Sequence, residues 1–185
     1  MDLRIATAEH TVPALSDPSL VWRSMTGADL DAVAAIALIG FPDHFEGRPM
    51  FANRLDMAPD GCFALSRIEA GVERVLGYLV AYPWRADAAP PLNTRIEAIP
   101  GDAAVMYLHD LCLHPEVRGR GVTTGIVERL ADQARAAGWP ALALVAVNDA
   151  AGFWARHGFA VRQNAVIAAK LAGYGPDARY MIRPL

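Results

Sequence analysis

Apolar positions along this chain recur with two different periods, and turn residues separate the segments that carry them. Residues 1–19 show neither period and contain Pro13 and Pro18, so they are expected to form an arm outside the main domain. Leu20 to Met25 reads as a strand. Thr26, with Asp29 three residues on, makes a capping-box start for a helix from Gly27 to about Ile39. That helix puts Leu30, Val33, Ala34 and Ala37 on one face, and Gly40-Phe41-Pro42 stops it. Asp43 to Asp56 reads as a second short helix of mixed charge. Two strands follow, Gly61–Arg67 and Arg74–Tyr82, joined through Glu69-Ala70-Gly71 as a hairpin. Pro83 to Asp102 holds four prolines and no pattern. Loops of this length usually serve function or are mobile, so this one is expected to border a substrate site.

The second half is patterned more sharply. Val105 to Leu113 is an apolar strand, and a helix from Val122 to Ala137 buries Val122, Ile126, Val127, Leu130, Ala134 and Ala137, with Gly138 closing it. Ala141 to Val147 is almost wholly apolar, as a strand buried on both faces should be. Asn148 is placed as the cap of a short helix through His157, ended by Gly158. Phe159–Gln163 and Arg179–Arg183 are the last strands expected. There is no internal repeat, and residues 20–185 are read as a single domain.

Composition narrows the classes. The 185 residues suit one domain with a full core. Seventeen basic against twenty acidic residues gives a formal charge of −3, which calls for neither nucleic acid nor an anionic membrane as partner. Cys62 and Cys112 lie fifty residues apart with no CxxC and no histidine cluster. That argues against a metal centre or disulfide framework and suits a reducing cytoplasm. The longest apolar run, Val33 to Ile39, is too short to span a bilayer, and no signal-peptide pattern opens the chain. A monomer or homodimer is expected.

The chemistry gathers after the Val105–Leu113 strand. His114 to Val117 forms a polar turn, Arg118-Gly119-Arg120-Gly121 follows, and the helix starts at once. A glycine-rich turn feeding a helix presents free backbone N–H groups at the positive end of the helix dipole and so binds phosphate. No Lys follows Gly125, which excludes a Walker loop. The run Gly119-x-Gly121-x-x-x-Gly125 approaches a dinucleotide fingerprint. However, five polar or turn residues separate it from the strand, and too little chain follows for several further βα units.

The stretch Arg118-Gly119-Arg120-Gly121-Val122-Thr123 resembles the acetyl-CoA signature [RQ]-x-x-G-x-[GA] of the GNAT (Gcn5-related N-acetyltransferase) superfamily, departing only at Thr123. Asn148 to Phe159 is similar to a second motif of that family. The resemblance implies an α/β fold: a central twisted mixed sheet with helices on both faces, splayed between its fourth and fifth strands. It implies acetyl-CoA as cosubstrate, without a metal, and direct transfer of the acetyl group to an amine in a ternary complex. An acyl-CoA-binding regulatory module with weak or no turnover is the alternative. The residues implied at the cofactor are Leu111, Cys112, Leu113, Arg118, Gly119, Arg120, Gly121, Val122, Thr123, Thr124, Asn148, Phe153 and Trp154, the first three through backbone N–H groups that polarise the thioester carbonyl.

An alkyl amine arrives mostly protonated at neutral pH, so a base is needed. Leu108 to His114 resembles the matching run of aralkylamine acetyltransferases, which makes His109 the leading base. Asp110 is an alternative that turns to the other face unless a bulge intervenes. Trp154 stands where relatives often carry a Tyr that protonates the leaving sulfur, and an indole N–H cannot give up its proton. Tyr107 is the expected substitute. Phe41, His44, Phe45, Phe51, Tyr82, Trp84 and Arg85 lie on segments that flank the acceptor in relatives, and Asp43, Glu46 and Glu97 could pair with a cationic amine.

Overall fold

The computed structural model describes residues 17–163, 165–171 and 173–185, so most of the expected arm (residues 1–19) lies outside the described residues. Seven strands form one sheet in the order β1-β2-β3-β4-β5-β7-β6. They are β1 Leu20–Ser24, β2 Cys62–Glu69, β3 Val72–Trp84, β4 Val105–Leu113, β5 Ala141–Ala146, β6 Ala160–Val161 and β7 Arg179–Pro184. The helices are α1 Leu30–Gly40, α2 Arg48–Met57, α3 Val122–Ala136, α4 Ala151–Arg156 and α5 Ala165–Leu171. Every strand pair is antiparallel except β4 with β5. Among the described residues, no helix is long and apolar enough to cross a membrane.

The capping box forms as the sequence predicts: Asp29 accepts from the Thr26 N–H at 2.8 Å at the head of a 3₁₀ turn leading into α1. The hairpin turn between β2 and β3 places Ala70 and Gly71 at positive φ, which suits the right-handed twist of the strands it joins. Other expectations need correction. The segment read as a helix from Asp43 divides into a 3₁₀ turn and an α2 that begins at Arg48, with Pro49 in its first turn. Ala137 is exposed, while Ala131 joins the buried stripe of α3. Asn148 does not cap α4. It and Asp149 sit at φ +53° and +56°, and the helix starts after Ala150. Helix α5 was not expected at all.

The sheet divides the interior into two layers. On one face α1, α2 and α5 pack over Tyr78, Val80, Tyr82 and Tyr107. On the other, α3 and α4 pack over Leu79, Ala81, Leu108 and Leu144. β4 and β5 hold only two register pairs, Met106 with Leu142 and Tyr107 with Ala143. Beyond them the strands diverge, and this is the expected splay.

Candidate active site

A groove of about 860 Å³ runs from the glycine loop to that splay. Its floor includes Leu111, Cys112 and Leu113 of β4, and the loop contributes Arg118, Gly119, Gly121, Val122, Thr123 and Thr124. Gly119 and Gly121 have φ of +75° and +71°. A Cβ on Gly119 would meet nothing within 4 Å, so backbone conformation rather than crowding calls for glycine there. Gly121 is the N-cap of α3, and no side chain caps the helix. The first N–H groups of this fifteen-residue helix therefore remain available to an anion. Arg118 is anchored by its Nε donating to the Leu113 carbonyl at 3.0 Å. Asn148 and Phe153 also line the groove. Arg120 is outside the groove's lining and pairs with Asp17 at 3.1 Å, while Trp154, packed against Phe153 and Phe159, lines the adjoining cavity instead of the groove. Arg156 and Arg183 line the groove without having been singled out, and Arg183 is paired to Glu128 at 2.8 Å.

Where the groove reaches the splay it meets a smaller cavity of about 140 Å³, and Phe41, Leu111, Val147, Ala150 and Phe153 belong to both. Here β4 departs from alternation. Val80 pairs with Asp110 and Ala81 with Leu108, so His109 has no opposite residue and forms a bulge. One extra residue resets the side-chain period. His109 and Asp110 consequently both face α1 and α2, where the one meets Tyr82 and the other Tyr78. The sequence-predicted trio Tyr107, His109 and Asp110 thus lines one cavity.

His109 is held at both ring nitrogens. Nε2 lies 2.6 Å from Glu46 Oε2, and Nδ1 lies 3.0 Å from the Tyr82 hydroxyl. Arg54 donates to Glu46 Oε1 at 3.3 Å, so four side chains, Arg54, Glu46, His109 and Tyr82, are linked in one row of hydrogen bonds. The Glu46 carboxylate can only accept, so Nε2 carries a proton, and the Tyr82 hydroxyl can donate to Nδ1. Neutral His109 is then the Nε2–H tautomer, donating to Glu46. Burial works against the Glu46 carboxylate, yet the hydrogen bond and charge of His109, with Arg54 and the Asn93 N–H, hold its pKa below the ordinary carboxylate value.

Asp110 has the opposite setting. Burial pushes its carboxyl up to about 6, against the opposing influence of His109, the Tyr78 hydroxyl and the Leu111 amide. A carboxyl poised there is ionised at neutral pH and is a stronger base than an ordinary one. Tyr107 is buried, which holds its hydroxyl well above the usual phenol range. Glu46 and Tyr174 complete the cavity's polar lining, with Arg54 bonded to Glu46 from outside that lining. The sequence offered Glu46 only as a partner for a cationic substrate, and nothing local marked the other two.

A family model described as the acetyltransferase (GNAT) family matches residues 30–159. No curated protein matches the sequence. Among solved structures, the fold is similar to Ard1 from Thermoplasma volcanium at 15% identity and a TM-score of 0.68, covering 90% of this chain and 98% of that one. It is similar to a GCN5-related N-acetyltransferase from Kribbella flavida at 21% identity and a TM-score of 0.63, covering 92% of this chain and 100% of that one. N-acetylglutamate synthase from Neisseria gonorrhoeae, solved with coenzyme A and N-acetyl-glutamate, matches at 14% identity and a TM-score of 0.66, covering 90% of this chain and 35% of the synthase.

Proposed function

Since this chain belongs to the acetyltransferase (GNAT) family, we propose that it transfers an acetyl group directly from acetyl-CoA to an amine within a ternary complex. The observation that carries this reading is the continuity of two spaces. A groove that starts at Gly119 and Gly121 opens, through the divergence of β4 and β5, into the cavity that holds His109 and Asp110. The loop and the N-terminus of α3 would hold the cofactor's phosphates, with backbone N–H groups of Leu111 to Leu113 facing its arm. Acetyl-CoA supplies an acyl group activated as a thioester, and the chain supplies placement and proton handling.

Asp110 is the proton acceptor in this reading. It faces the cavity and titrates near 6, whereas His109 has both nitrogens engaged. His109 and Glu46 instead hold the bulge that turns Asp110 inward. On the leaving side, a phenol whose pKa lies far above a thiol's ordinary value of about 8.5 donates a hydrogen bond to sulfur rather than its proton. Tyr107 and Trp154 are therefore hydrogen-bond donors at most, and the departing sulfur needs no strong acid because a thiolate is a stable leaving group. The free, buried thiols Cys62 and Cys112 support a reducing, cytoplasmic setting. Trp154 in place of a tyrosine is the feature that favours the second reading, an acyl-CoA-binding module with little turnover.

Two measurements separate these. Acetyl-CoA should raise the melting temperature by mass action, and Gly121→Val, which strains a φ of +71° and brings a side chain to the anion, should remove that rise. An undiminished rise in Gly121→Val would place the cofactor elsewhere. Release of free CoA with an amine then identifies the enzyme, and tight binding without release with any amine identifies the module.

A further inference from the structure

The acceptor end of the cavity is roofed. Tyr174, in the connection between α5 and β7, joins three separate segments there. Its carbonyl accepts from His44 Nε2 at 2.9 Å, its hydroxyl donates to the Pro90 carbonyl, and its ring lines the cavity below. The long connection between β3 and β4, which supplies Pro90 and Leu92, is fastened to the body. Asn53 exchanges two hydrogen bonds with the Ile96 backbone, at 3.0 and 2.7 Å, and the Asn93 N–H donates to Glu46 at 2.6 Å. This wall is fixed in place, and the space beneath it is about 140 Å³. Sites for drug-sized ligands run to roughly 300–1,000 Å³. A peptide, which advances about 3.3 Å per residue, would need an open channel in place of this roof.

The wall's chemistry is equally selective. Glu46 and Asp110 bring two carboxylates to the cavity, while among the described residues no arginine or lysine lines it. The guanidinium behind Glu46, that of Arg54, is 1% exposed and committed to Glu46. An amine's ammonium form is met by opposite charge, whereas a substrate carboxylate would be buried beside two others without a partner, which is costly. Phe41 and Leu92 offer apolar surface to the rest of the molecule. We propose that the acceptor is a small primary amine with an apolar body and no carboxylate, and neither an amino acid nor a peptide. The assignment rests on the acetyltransferase reading above.

The test pairs acceptors that differ only in the carboxylate: isobutylamine against valine, and phenethylamine against phenylalanine, with a free-N-terminus tetrapeptide as the extended case. CoA release and acetyl-CoA thermal shift are both recorded. Each amine should exceed its amino acid by at least about 10²-fold in kcat/KM, and the tetrapeptide should give only background. Tyr174→Ala, which removes the roof ring, should move the preference from isobutylamine towards phenethylamine by about tenfold. Valine, phenylalanine or the tetrapeptide reacting as well as the amines overturns the proposal. Bound acetyl-CoA with no turnover of either amine overturns it too, while leaving the cofactor site standing. Absence of an acetyl-CoA shift removes the underlying reading along with it.

Discussion

Burial raises the Asp110 carboxyl to about 6, so the folded chain binds this proton more tightly than the unfolded chain, where the group keeps its ordinary 3.8. Between those two values the folded state holds a proton that the unfolded state has lost, and stability therefore falls as pH rises through the window. Above about 6 the ionised carboxylate remains a burden on the fold, and it is then that it can accept a proton. Asp110→Asn should consequently raise the melting temperature at pH 8, an effect that fades towards pH 4, where the native carboxyl is already neutral. The same change should lower kcat/KM on the order of 10²-fold or more and abolish an acidic limb near pH 6 in its pH profile. His109→Gln should reduce turnover while keeping that limb. A limb that survives in Asp110→Asn and disappears in His109→Gln would make the histidine the base. Trp154→Phe, which loses one donor, should cost roughly threefold to tenfold in rate, as measured by CoA release.

The elements show which parts of the site a sequence can announce. The glycine loop was legible because its requirement is local: glycines at positive φ beside a helix start are written in four consecutive residues. The bulge was not, since it exists only relative to β3, where Val80 and Ala81 skip His109. Nor was the site's outer wall legible, because Arg54 and Tyr174 gain their roles from contacts with segments far along the chain. Helix α5 is a seven-residue run of alanines, aliphatics and one lysine, too short for a long apolar stripe to mark it. The end of α1 against β4 is another contact of this non-local kind. A Cβ on Gly40 would stand 2.2 Å from Cys112 Sγ, so the helix can close on the strand only with glycine there. Gly40→Ala is expected to cost about 1–3 kcal/mol by overpacking. Denaturant titration should show that cost shrinking in a Cys112→Ala background, because the two positions share one contact.

At the scale of the whole molecule, the hydrogen-bonded row Arg54, Glu46, His109 and Tyr82 ties α2, the α1–α2 connection, β3 and β4 into one body. Arg54→Met leaves Glu46 buried without its guanidinium partner and should destabilise the fold by about 3–5 kcal/mol, visible as a lowered denaturation midpoint. No such network crosses to β5, which meets β4 at two register pairs. The two halves of the sheet meet at Met106–Leu142 and Tyr107–Ala143, and the groove proposed for the cofactor opens along that same seam. Backbone amides of Leu111 to Leu113 that point away from β3 have no strand to protect them there. They should exchange deuterium quickly in the free protein, while the Leu76–Val80 amides that bond β2 or β4 exchange slowly. An extended cofactor arm laid along that seam takes the place of a missing strand. Acetyl-CoA should therefore slow exchange at Leu111 to Leu113 and along the facing edge of β5, clamping the two halves together as it supplies the acyl group.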